Sequence, residues 1–358
     1  MKTESAAPLA GVTCCRHVTE YHEPAAAGGP GMLQPGDVLD DRFVITEVIS
    51  RSGMALIYKA QDLHDGNGDV AIKVPHLEYS GDAGFLERFH REEEIGLTLN
   101  HPLVVKFIPV ATRKSRPYLV MEYLRGCTLA HLMEAMSPLP EKDALKITGL
   151  LCEALQHLHE HGVVHRDLKP HNVMVGCDGT LRLLDFGLAN TKCGRRGASA
   201  PGEPVMGTPD YMAPEQVQGR RGDARTDLYG LGAMLYEMLT GSTPFAADNP
   251  LCAMNARVLG DPEPLRKLNP AISPAVEEIV LHAMERDPSR RHASARALRA
   301  ELANPGRVRL SGRGERDERP ARSPAKIRRA WMIALALALP LAGLAAEALC
   351  LWLGAGAR

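Results

Sequence analysis

The chain has 358 residues, of which 24 % are charged, and a formal net charge of −1 at pH 7. This length allows one large domain or two of ordinary size with a substantial core. The near-zero charge argues against a protein that holds nucleic acid through bulk charge. The eight cysteines contain no C-x-x-C pair and no secretory signal opens the sequence, which predicts a reduced, cytoplasmic main body.

Residues 1–38 are rich in Ala, Gly and Pro and show no sustained hydrophobic period. This composition is typical of a flexible leader. The segment also offers four metal-binding side chains, Cys14, Cys15, His17 and His22. Because adjacent cysteines fit a tetrahedral metal site poorly, a leader is the favoured interpretation.

Short β-rich runs begin at Phe43 and cover about eighty residues, with one helical segment among them. The stretch ISRSGMALIYKA, residues 49–60, predicts two strands joined by a tight turn. A phosphate-cradling hairpin is usually built on G-x-G-x-x-G, but Ser50, Ser52 and Ala55 occupy the glycine places here. The sequence therefore raises the question of how well this loop holds a nucleotide.

After Leu129 the pattern becomes helical. Residues 141–162 carry apolar side chains at helical spacing and end in Gly162, which predicts an amphipathic helix with a glycine end. A β-rich part followed by a helical part predicts an α+β fold of two lobes with a cleft between them.

Residues 304–329 contain nine Arg or Lys against three acids, and three prolines interrupt any helix. This composition predicts a basic linker. Residues 330–357 are apolar, with Glu347 as the single charged residue. Since about 20 helical residues cross the hydrocarbon layer of a membrane, we predict a transmembrane helix at 330–353 and a short tail at 354–358.

Pro340 and Glu347 weaken the prediction of a membrane span, and a buried C-terminal hairpin helix is the alternative. The basic residues before the span keep the large N-terminal part on the cytoplasmic side. The sequence thus predicts a single-pass protein of the bacterial inner membrane.

The stretch GVVHRDLKPHNVMVGCDGTLRLLDFGLA, residues 162–189, predicts a β-hairpin that brings Asn172 and Asp185 to the same open end. Oxygen ligands of this kind suit Mg²⁺ bound together with nucleotide phosphates. Asp167 can accept a proton from an attacking hydroxyl group, and Lys169 can neutralise charge on a transferred phosphoryl group.

Four motifs now resemble those of eukaryotic-type (Hanks-type) Ser/Thr protein kinases, particularly the bacterial membrane-attached kind. They are VAIK at 70–73, HRDLKPHN at 165–172, DFG at 185–187 and APE at 213–215. The resemblance covers about residues 43–301 and implies the bilobal protein-kinase fold. It implies a kinase domain at 39–303, with a small lobe at about 43–124 and a large lobe at about 125–301.

The resemblance also implies ATP and Mg²⁺, with Mn²⁺ as an alternative metal, and protein substrates that carry Ser or Thr acceptors. Asp167 would be the catalytic base, and Asn172 and Asp185 would be the metal ligands. Lys73 would contact the α- and β-phosphates and needs a carboxylate partner.

Among three consecutive glutamates, Glu92 alone shares a helical stripe with Phe85 and Phe89 and is predicted to face inward towards Lys73. Gly96 lies in the same helix, where kinases usually place a bulkier side chain. A glycine inside a helix lowers helix stability by roughly 1 kcal/mol relative to Ala. Gly96 therefore predicts a helix that is packed loosely against the rest of the small lobe.

The implied nucleotide site comprises the hairpin tip, the residues around the adenine and the strand that carries Lys73. Met121 resembles the gatekeeper, and the backbones of Glu122 and Leu124 would bond the adenine. The full set is Ile49, Ser50, Arg51, Ser52, Gly53, Met54, Ala55, Leu56, Ile57, Ala71, Lys73, Met121, Glu122, Leu124 and Met174. Because the family binds phosphate largely through backbone N–H groups, we expect a stiffer and weaker loop that still binds ATP.

In the large lobe, the resemblance assigns Thr208 to orient Asp167 and Lys169. Asp227 resembles the buried residue that braces the catalytic loop, while Arg291 would pair with the Glu215 of the APE motif.

The resemblance also associates Arg166 with control by a phosphate on the segment from Asp185 to Glu215. Thr191 and Ser199 are the candidate phosphorylation sites in that segment, and a solvated basic loop is the alternative interpretation.

An active kinase is the favoured function because Lys73, Asp167, Asn172 and Asp185 are all present. A membrane-tethered pseudokinase, which binds ATP or a partner without transferring phosphate, is the alternative that the unusual loop supports. The segment GTPDYMAPE argues against a small-molecule kinase of related fold, because it resembles the docking segment for protein substrates.

Overall fold

A computed structural model of the chain describes residues 32–64, 66–79, 81–186, 190–191, 209–247 and 249–314. The chain divides into two compact units, Met1–Gly314 and Glu315–Arg358, and all described residues belong to the first. Within these ranges, no helix combines the length and apolar character needed to cross a membrane. The predicted span at 330–353 and residues 1–31 of the predicted leader lie outside the described residues.

The N-terminal part is a five-stranded antiparallel sheet in the order β1-β2-β3-β4-β5. Burial alternates along β3, and the paired residues Tyr58 and Ile72 are almost fully buried on the face of the sheet opposite Lys73. The strands are β1 Val38–Leu39, β2 Phe43–Arg51, β3 Ala55–Asp62, β4 Gly68–Pro75 and β5 Leu119–Glu122.

One helix, α1 (Ala83–Thr98), packs beside this sheet. The side chain of Asp82 accepts a hydrogen bond from the backbone N–H of Phe85 at 2.9 Å and so caps the first turn. Phe85, Phe89, Glu92, Ile95 and Gly96 form its buried face. The stripe read from the sequence therefore faces the interior.

The C-terminal part is helical and contains the larger of two apolar cores. Several of its helices begin at polar caps: Asp223 precedes α5, Ser273 precedes α8 and Ser294 precedes α9. The helices are α2 Leu129–Met136, α3 Glu141–Glu160, α4 Pro214–Val217, α5 Ala224–Thr240, α6 Pro250–Leu259, α7 Leu265–Leu268, α8 Pro274–Ala283 and α9 Ala295–Ala303.

Small strands at the junction of the two parts carry the loops that matter for chemistry. β6 (Gly126–Thr128), β8 (Val173–Gly176) and β9 (Leu181–Leu183) form one antiparallel sheet, and β7 (Val163–Val164) pairs with β10 (Asn190–Thr191). A Cβ at position 126 would collide with the Val175 carbonyl, so glycine is required where these strands approach.

The prediction of a reduced body is wrong for two cysteines, because Cys127 and Cys177 are both disulfide-bonded. Strand pairing sets Cys127 opposite Val175, so Cys177 lies two residues further along the facing segment and on the same side of the ladder. The sequence gives no local sign of this arrangement. Cys152 and Cys252 are free thiols.

Residues 304–314, predicted as the start of the basic linker, pack against α8. Arg313 donates to both Glu278 and Glu285, with 3.0 Å between Arg313 Nε and Glu285 Oε1. Ser311 also donates to Glu278. Opposite charge on α8 therefore holds this basic segment against the helical part.

Candidate active site

Lys73 joins the sheet, helix α1 and the start of the DFG segment. Its Nζ lies 2.7 and 2.9 Å from the two carboxylate oxygens of Glu92 and 3.1 Å from Asp185 Oδ1. Glu92 is only 3 % exposed. Because this contact links three separate elements, it fixes helix α1 against the sheet.

Burial and neighbouring charges shift the pKa values of Lys73 and Glu92 in opposite directions. Burial alone would lower the pKa of Lys73, but the carboxylates of Asp185 and Glu92 raise it above its ordinary value. Burial raises the pKa of Glu92 to about 7, against the opposing attraction of Lys73. Lys73 is therefore a fixed positive charge in the cleft, and Glu92 depends on it for its ionisation.

The catalytic-loop motif forms a compact polar cluster around Asp167. Lys169 Nζ lies 2.7 Å from Asp167 Oδ2, and Asn172 Nδ2 donates to the Asp167 carbonyl at 2.8 Å. Arg166 and Asp185 have φ values of 67° and 60°, in the left-handed region that non-glycine residues rarely adopt. Strain of this kind is maintained only where the surroundings over-determine the backbone.

Asp227 holds the backbone of that loop. Its carboxylate accepts from the N–H groups of His165 and Arg166 at 2.9 and 2.8 Å, and His159 Nε2 lies 2.7 Å away. Burial opposes ionisation, but the hydrogen bond with His159 and the other partners lower the pKa of Asp227 below its ordinary value. Asp227 is thus an ionised brace beneath the loop.

The tip of the β2–β3 hairpin is closed by Ser52. Its hydroxyl oxygen accepts from the backbone N–H groups of Ala55 at 3.1 Å and Met54 at 3.4 Å, and donates to the Ala55 carbonyl at 2.9 Å. The N–H of Ser52 donates to the same carbonyl at 2.9 Å. The sequence-based expectation had these N–H groups available for phosphate, whereas in the structure the loop itself uses them.

The remaining residues of the predicted nucleotide site lie on the β2–β3 hairpin, on β4 and β5, just after β5, and on β8. Ser50 pairs with Ile57 and Arg51 with Leu56 in the hairpin, while Ile49 and Met54 are exposed and Gly53 is at the tip. On the adjoining strands, Ala71 lies opposite Met121. Leu124 and Met174 both line a cavity of about 360 Å³, whose other walls come from Tyr123, Arg125 and the β8–β9 hairpin.

Glu122 fixes the connection after β5 through its backbone and side chain. Its N–H donates to the Lys106 carbonyl at 2.9 Å. Its carboxylate accepts from the Lys106 N–H at 3.0 Å and from Arg182 Nε at 3.3 Å. The chain segment next to the adenine-site candidates is therefore held in one conformation.

An aromatic stack runs from the catalytic loop to helix α1. The rings of His165 and Phe186 are 5.8 Å apart, and those of Phe186 and Phe107 are 6.1 Å apart. Gly96 lies directly against Phe107, because a Cβ there would overlap the ring. The glycine that predicted a loosely seated helix instead makes room for an aromatic side chain from another segment.

Gly96→Ala is expected to destabilise the protein by about 1–3 kcal/mol, because the added methyl group overpacks the site against Phe107. Gly149→Ala, the same change within helix α3, is the matched control, since a Cβ there meets nothing within 4 Å. The control should raise the free energy of unfolding by up to about 1 kcal/mol. Urea denaturation of both variants measures the difference; equal shifts would contradict the packing argument.

Glu215 and Arg291 form a buried ion pair in the helical part. Arg291 Nη2 lies 2.7 Å from Glu215 Oε2, and Thr226 Oγ1 donates to Glu215 Oε1 at 2.8 Å. This pair anchors the end of the segment whose earlier residues, including Thr208 and Ser199, lie outside the described part of the chain. Of Thr191 only the backbone is described, in β10.

The fold and this cluster correspond to a known class of domain. The protein kinase domain matches residues 43–302, which is more than half of the chain. The chain therefore belongs to the protein kinase family. The prediction of a bacterial Hanks-type Ser/Thr kinase domain with a bilobal fold is confirmed.

Several relatives are named serine/threonine-protein kinases. The chain is 35 % identical over 268 residues to PknB of Mycolicibacterium smegmatis, an alignment covering 74 % of this chain and 43 % of that protein. It is 34 % identical over 268 residues to PknB of Mycobacterium tuberculosis, with the same coverage of 74 % and 43 %. It is 33 % identical over 267 residues to PrkC of Bacillus subtilis, covering 75 % and 41 %. The chain spans less than half the length of these relatives.

Sequence reasoning missed three contributors to this site. Phe107 supplies the ring against Gly96, His159 bonds Asp227, and the Ser52 hydroxyl closes the loop. Gly96 itself was a signal for Phe107. An interior glycine one turn after Glu92 leaves space beside the helix, which a side chain from another segment must fill. The His159 contact joins segments 68 residues apart, whereas the Ser52 contacts form within its own turn.

Proposed function

We propose that the chain is an ATP-dependent protein kinase that transfers the γ-phosphoryl group of ATP to Ser or Thr hydroxyl groups of protein substrates, including its own. The observation that carries this proposal is a pair of polar clusters, one around Lys73 and one around Asp167. Lys73 lies 2.7 Å from Glu92 and 3.1 Å from Asp185, while Asp167 lies 2.7 Å from Lys169.

In this proposal, different side chains of the protein bind the phosphates, stabilise charge and accept the proton. Asp167 accepts the proton of the attacking hydroxyl group. Lys169, 2.7 Å from that carboxylate, stabilises negative charge that develops on the transferred group. Lys73, fixed by Glu92, binds the α- and β-phosphates. We also propose that Thr208 orients Asp167 and Lys169.

Asn172 and Asp185 fit a divalent cation, because an amide oxygen and a carboxylate are ligands that hard cations prefer. The Asp185 side chain is 39 % exposed and therefore accessible from the cleft. We propose that these two residues hold Mg²⁺, with Mn²⁺ as an alternative. When bound, such a cation neutralises charge on the nucleotide phosphates.

The proposed adenine site lies between the sheet and β8. Ala71 and Met174 would enclose the ring, Ile57 would cover it, and the backbones of Glu122 and Leu124 would bond its edge. The support is that Ala71 lies opposite Met121 in the β4–β5 ladder, that Leu124 and Met174 line one cavity, and that the Glu122 N–H donates to the Lys106 carbonyl. The hairpin tip, Ile49 to Ile57, would cover the phosphates.

Full-length protein incubated with γ-labelled ATP and Mg²⁺ should incorporate label on Ser or Thr, as determined by phosphoamino-acid analysis. The same sample with EDTA should incorporate none. If purified protein binds ATP in a fluorescence assay without transferring label to itself or to a generic substrate, the proposed activity is wrong. That outcome would favour the pseudokinase.

Ser52→Gly is expected to lower the KM for ATP about fivefold, because it releases the Met54 and Ala55 N–H groups from a hydrogen bond worth about 1 kcal/mol. Ser50→Gly is the matched control, since it adds the same backbone freedom at a residue paired with Ile57 in the hairpin. Initial rates over a range of ATP concentrations measure both. A KM that falls equally in the two variants would show that flexibility, and not the hydroxyl group, controls the loop.

We further propose that the chain is a single-pass protein of the bacterial inner membrane with its kinase domain, residues 39–303, in the cytoplasm. The support is the apolar run at 330–357 and the basic residues that precede it. The linker at 304–329, the span at 330–353 and the tail at 354–358 complete this organisation. Full-length protein should sediment with membranes and a 1–329 truncation should not; identical fractionation would refute the anchor.

A further inference from the structure

Two histidines and a glutamate converge far along the chain from the residues assigned to catalysis. His282 is in the last turn of α8, His292 follows a 3₁₀ turn at Pro288–Arg290, and Glu301 is on α9. One ligand atom from each side chain lies within 4.8 Å of the other two. Nothing in the phosphoryl-transfer chemistry uses these three residues.

The separations fit coordination better than hydrogen bonding alone. His292 Nε2 is 2.9 Å from Glu301 Oε2, which one hydrogen bond explains. His282 Nδ1 is 3.7 Å from the same oxygen, which exceeds hydrogen-bond distance. Around a tetrahedral cation with ligand bonds of about 2.0–2.2 Å, ligand atoms lie roughly 3.3 Å apart. The two observed distances lie on either side of that value.

The two imidazole rings are in contact at an interplanar angle of 37°, in a partly buried position. Their centroids are 3.9 Å apart, and the His292 side chain is 1 % exposed. The ring nitrogens of both histidines are therefore held close to the Glu301 carboxylate.

A cavity of about 600 Å³ leaves the cluster accessible from one side. His282 and Glu301 line it, as do Arg307, Arg309 and Arg313. Arg313 is held between Glu278 and Glu285, so its charge is compensated within the cavity wall. The cavity leaves space for a water molecule as a fourth ligand.

We propose that His282, His292 and Glu301 form a binding site for a divalent cation of the zinc class. Two imidazoles and one carboxylate with an open fourth position are a ligand set that zinc accepts. The bound ion joins α8, the 3₁₀ turn and α9 at the point where residues 304–314 pack on the helical part. The site is separate from the proposed magnesium ligands Asn172 and Asp185.

Co²⁺ titration of the full-length protein tests this site, because tetrahedral Co²⁺ has characteristic visible absorption. All samples carry Asp185→Asn, which removes a carboxylate from the proposed nucleotide-metal site, and contain excess Mg²⁺. We expect saturation at one equivalent of Co²⁺ and displacement by Zn²⁺. Glu301→Gln and His282→Gln should each weaken Co²⁺ binding at least roughly tenfold. The exposed His90→Gln is the matched control and should leave binding unchanged.

Zn²⁺ should also raise the melting temperature of the same protein by several degrees, since it binds only the folded state. That shift should be absent in Glu301→Gln, whose metal-free melting temperature verifies that the variant folds. Absence of visible absorption overturns the proposal, as does binding that survives both ligand substitutions. A sulfur-to-cobalt charge-transfer band with no response to those substitutions would assign the metal to cysteines and also overturn it. None of these readouts requires kinase activity.

Discussion

Asp167→Asn is expected to lower kcat for phosphoryl transfer by about 10²–10⁴-fold, because an amide cannot accept the proton of the attacking hydroxyl group. Asn has nearly the shape of Asp, and Asn172 Nδ2 contacts the Asp167 backbone carbonyl at 2.8 Å, which the substitution retains. Steady-state rates on a generic Ser/Thr substrate measure the change in kcat.

Two controls distinguish lost chemistry from lost structure. ATP affinity of Asp167→Asn, measured by nucleotide fluorescence, should change little because the role proposed for Asp167 is contact with the acceptor and not with the adenine. Asp261→Asn, the same change in an exposed ion pair with Arg286, should retain full activity. Undiminished label transfer by Asp167→Asn would refute the assigned role of this carboxylate.

Arg291→Met is expected to reduce the free energy of unfolding by about 3–5 kcal/mol, since it leaves the buried carboxylate of Glu215 without its cation. The Arg291 side chain is 0 % exposed, and its guanidinium also donates to the carbonyls of Glu285 and Arg225 at 2.7 and 2.9 Å. Urea denaturation followed by circular dichroism measures the loss.

Arg296→Met provides the matched comparison, because Arg296 forms an equally short ion pair with Glu160 at 2.7 Å on the protein surface. Its loss should cost less than about 1 kcal/mol. Adding Glu215→Gln to Arg291→Met should recover part of the stability by removing the uncompensated charge. Similar losses for Arg291→Met and Arg296→Met would show that burial does not determine the strength of the first pair.

The local part of the site was predictable from the sequence because short motifs determine their own geometry. The residues between Asn172 and Asp185 fold as a hairpin, so their spacing alone brings these two residues to the same open end. The apolar stripe of α1 likewise selected Glu92 from three adjacent glutamates, because a helical period of 3.6 residues allows only one of them to face inward.

Contacts between distant segments were not predictable in the same way. The disulfide state of Cys127 and Cys177 depends on pairing of strands about fifty residues apart, and no single strand contains that information. The hydroxyl of Ser52 was expected to leave the phosphate-binding N–H groups available, but the turn geometry directs it onto them. Packing of distant segments therefore decides the cysteine partners, whereas the geometry of the turn decides those of Ser52.

The sequence by itself determined the kinase family, the order of the motifs and the identity of the residues that carry charge in the cleft. These properties follow from the types of the residues and from their spacing within short motifs. The tertiary structure alone decided that Phe107 fills the space beside Gly96, that His159 supports Asp227, and that His282 and Glu301 meet. These contacts join elements whose approach is set by the packing of the whole domain, so their partners are specified only when the chain has folded.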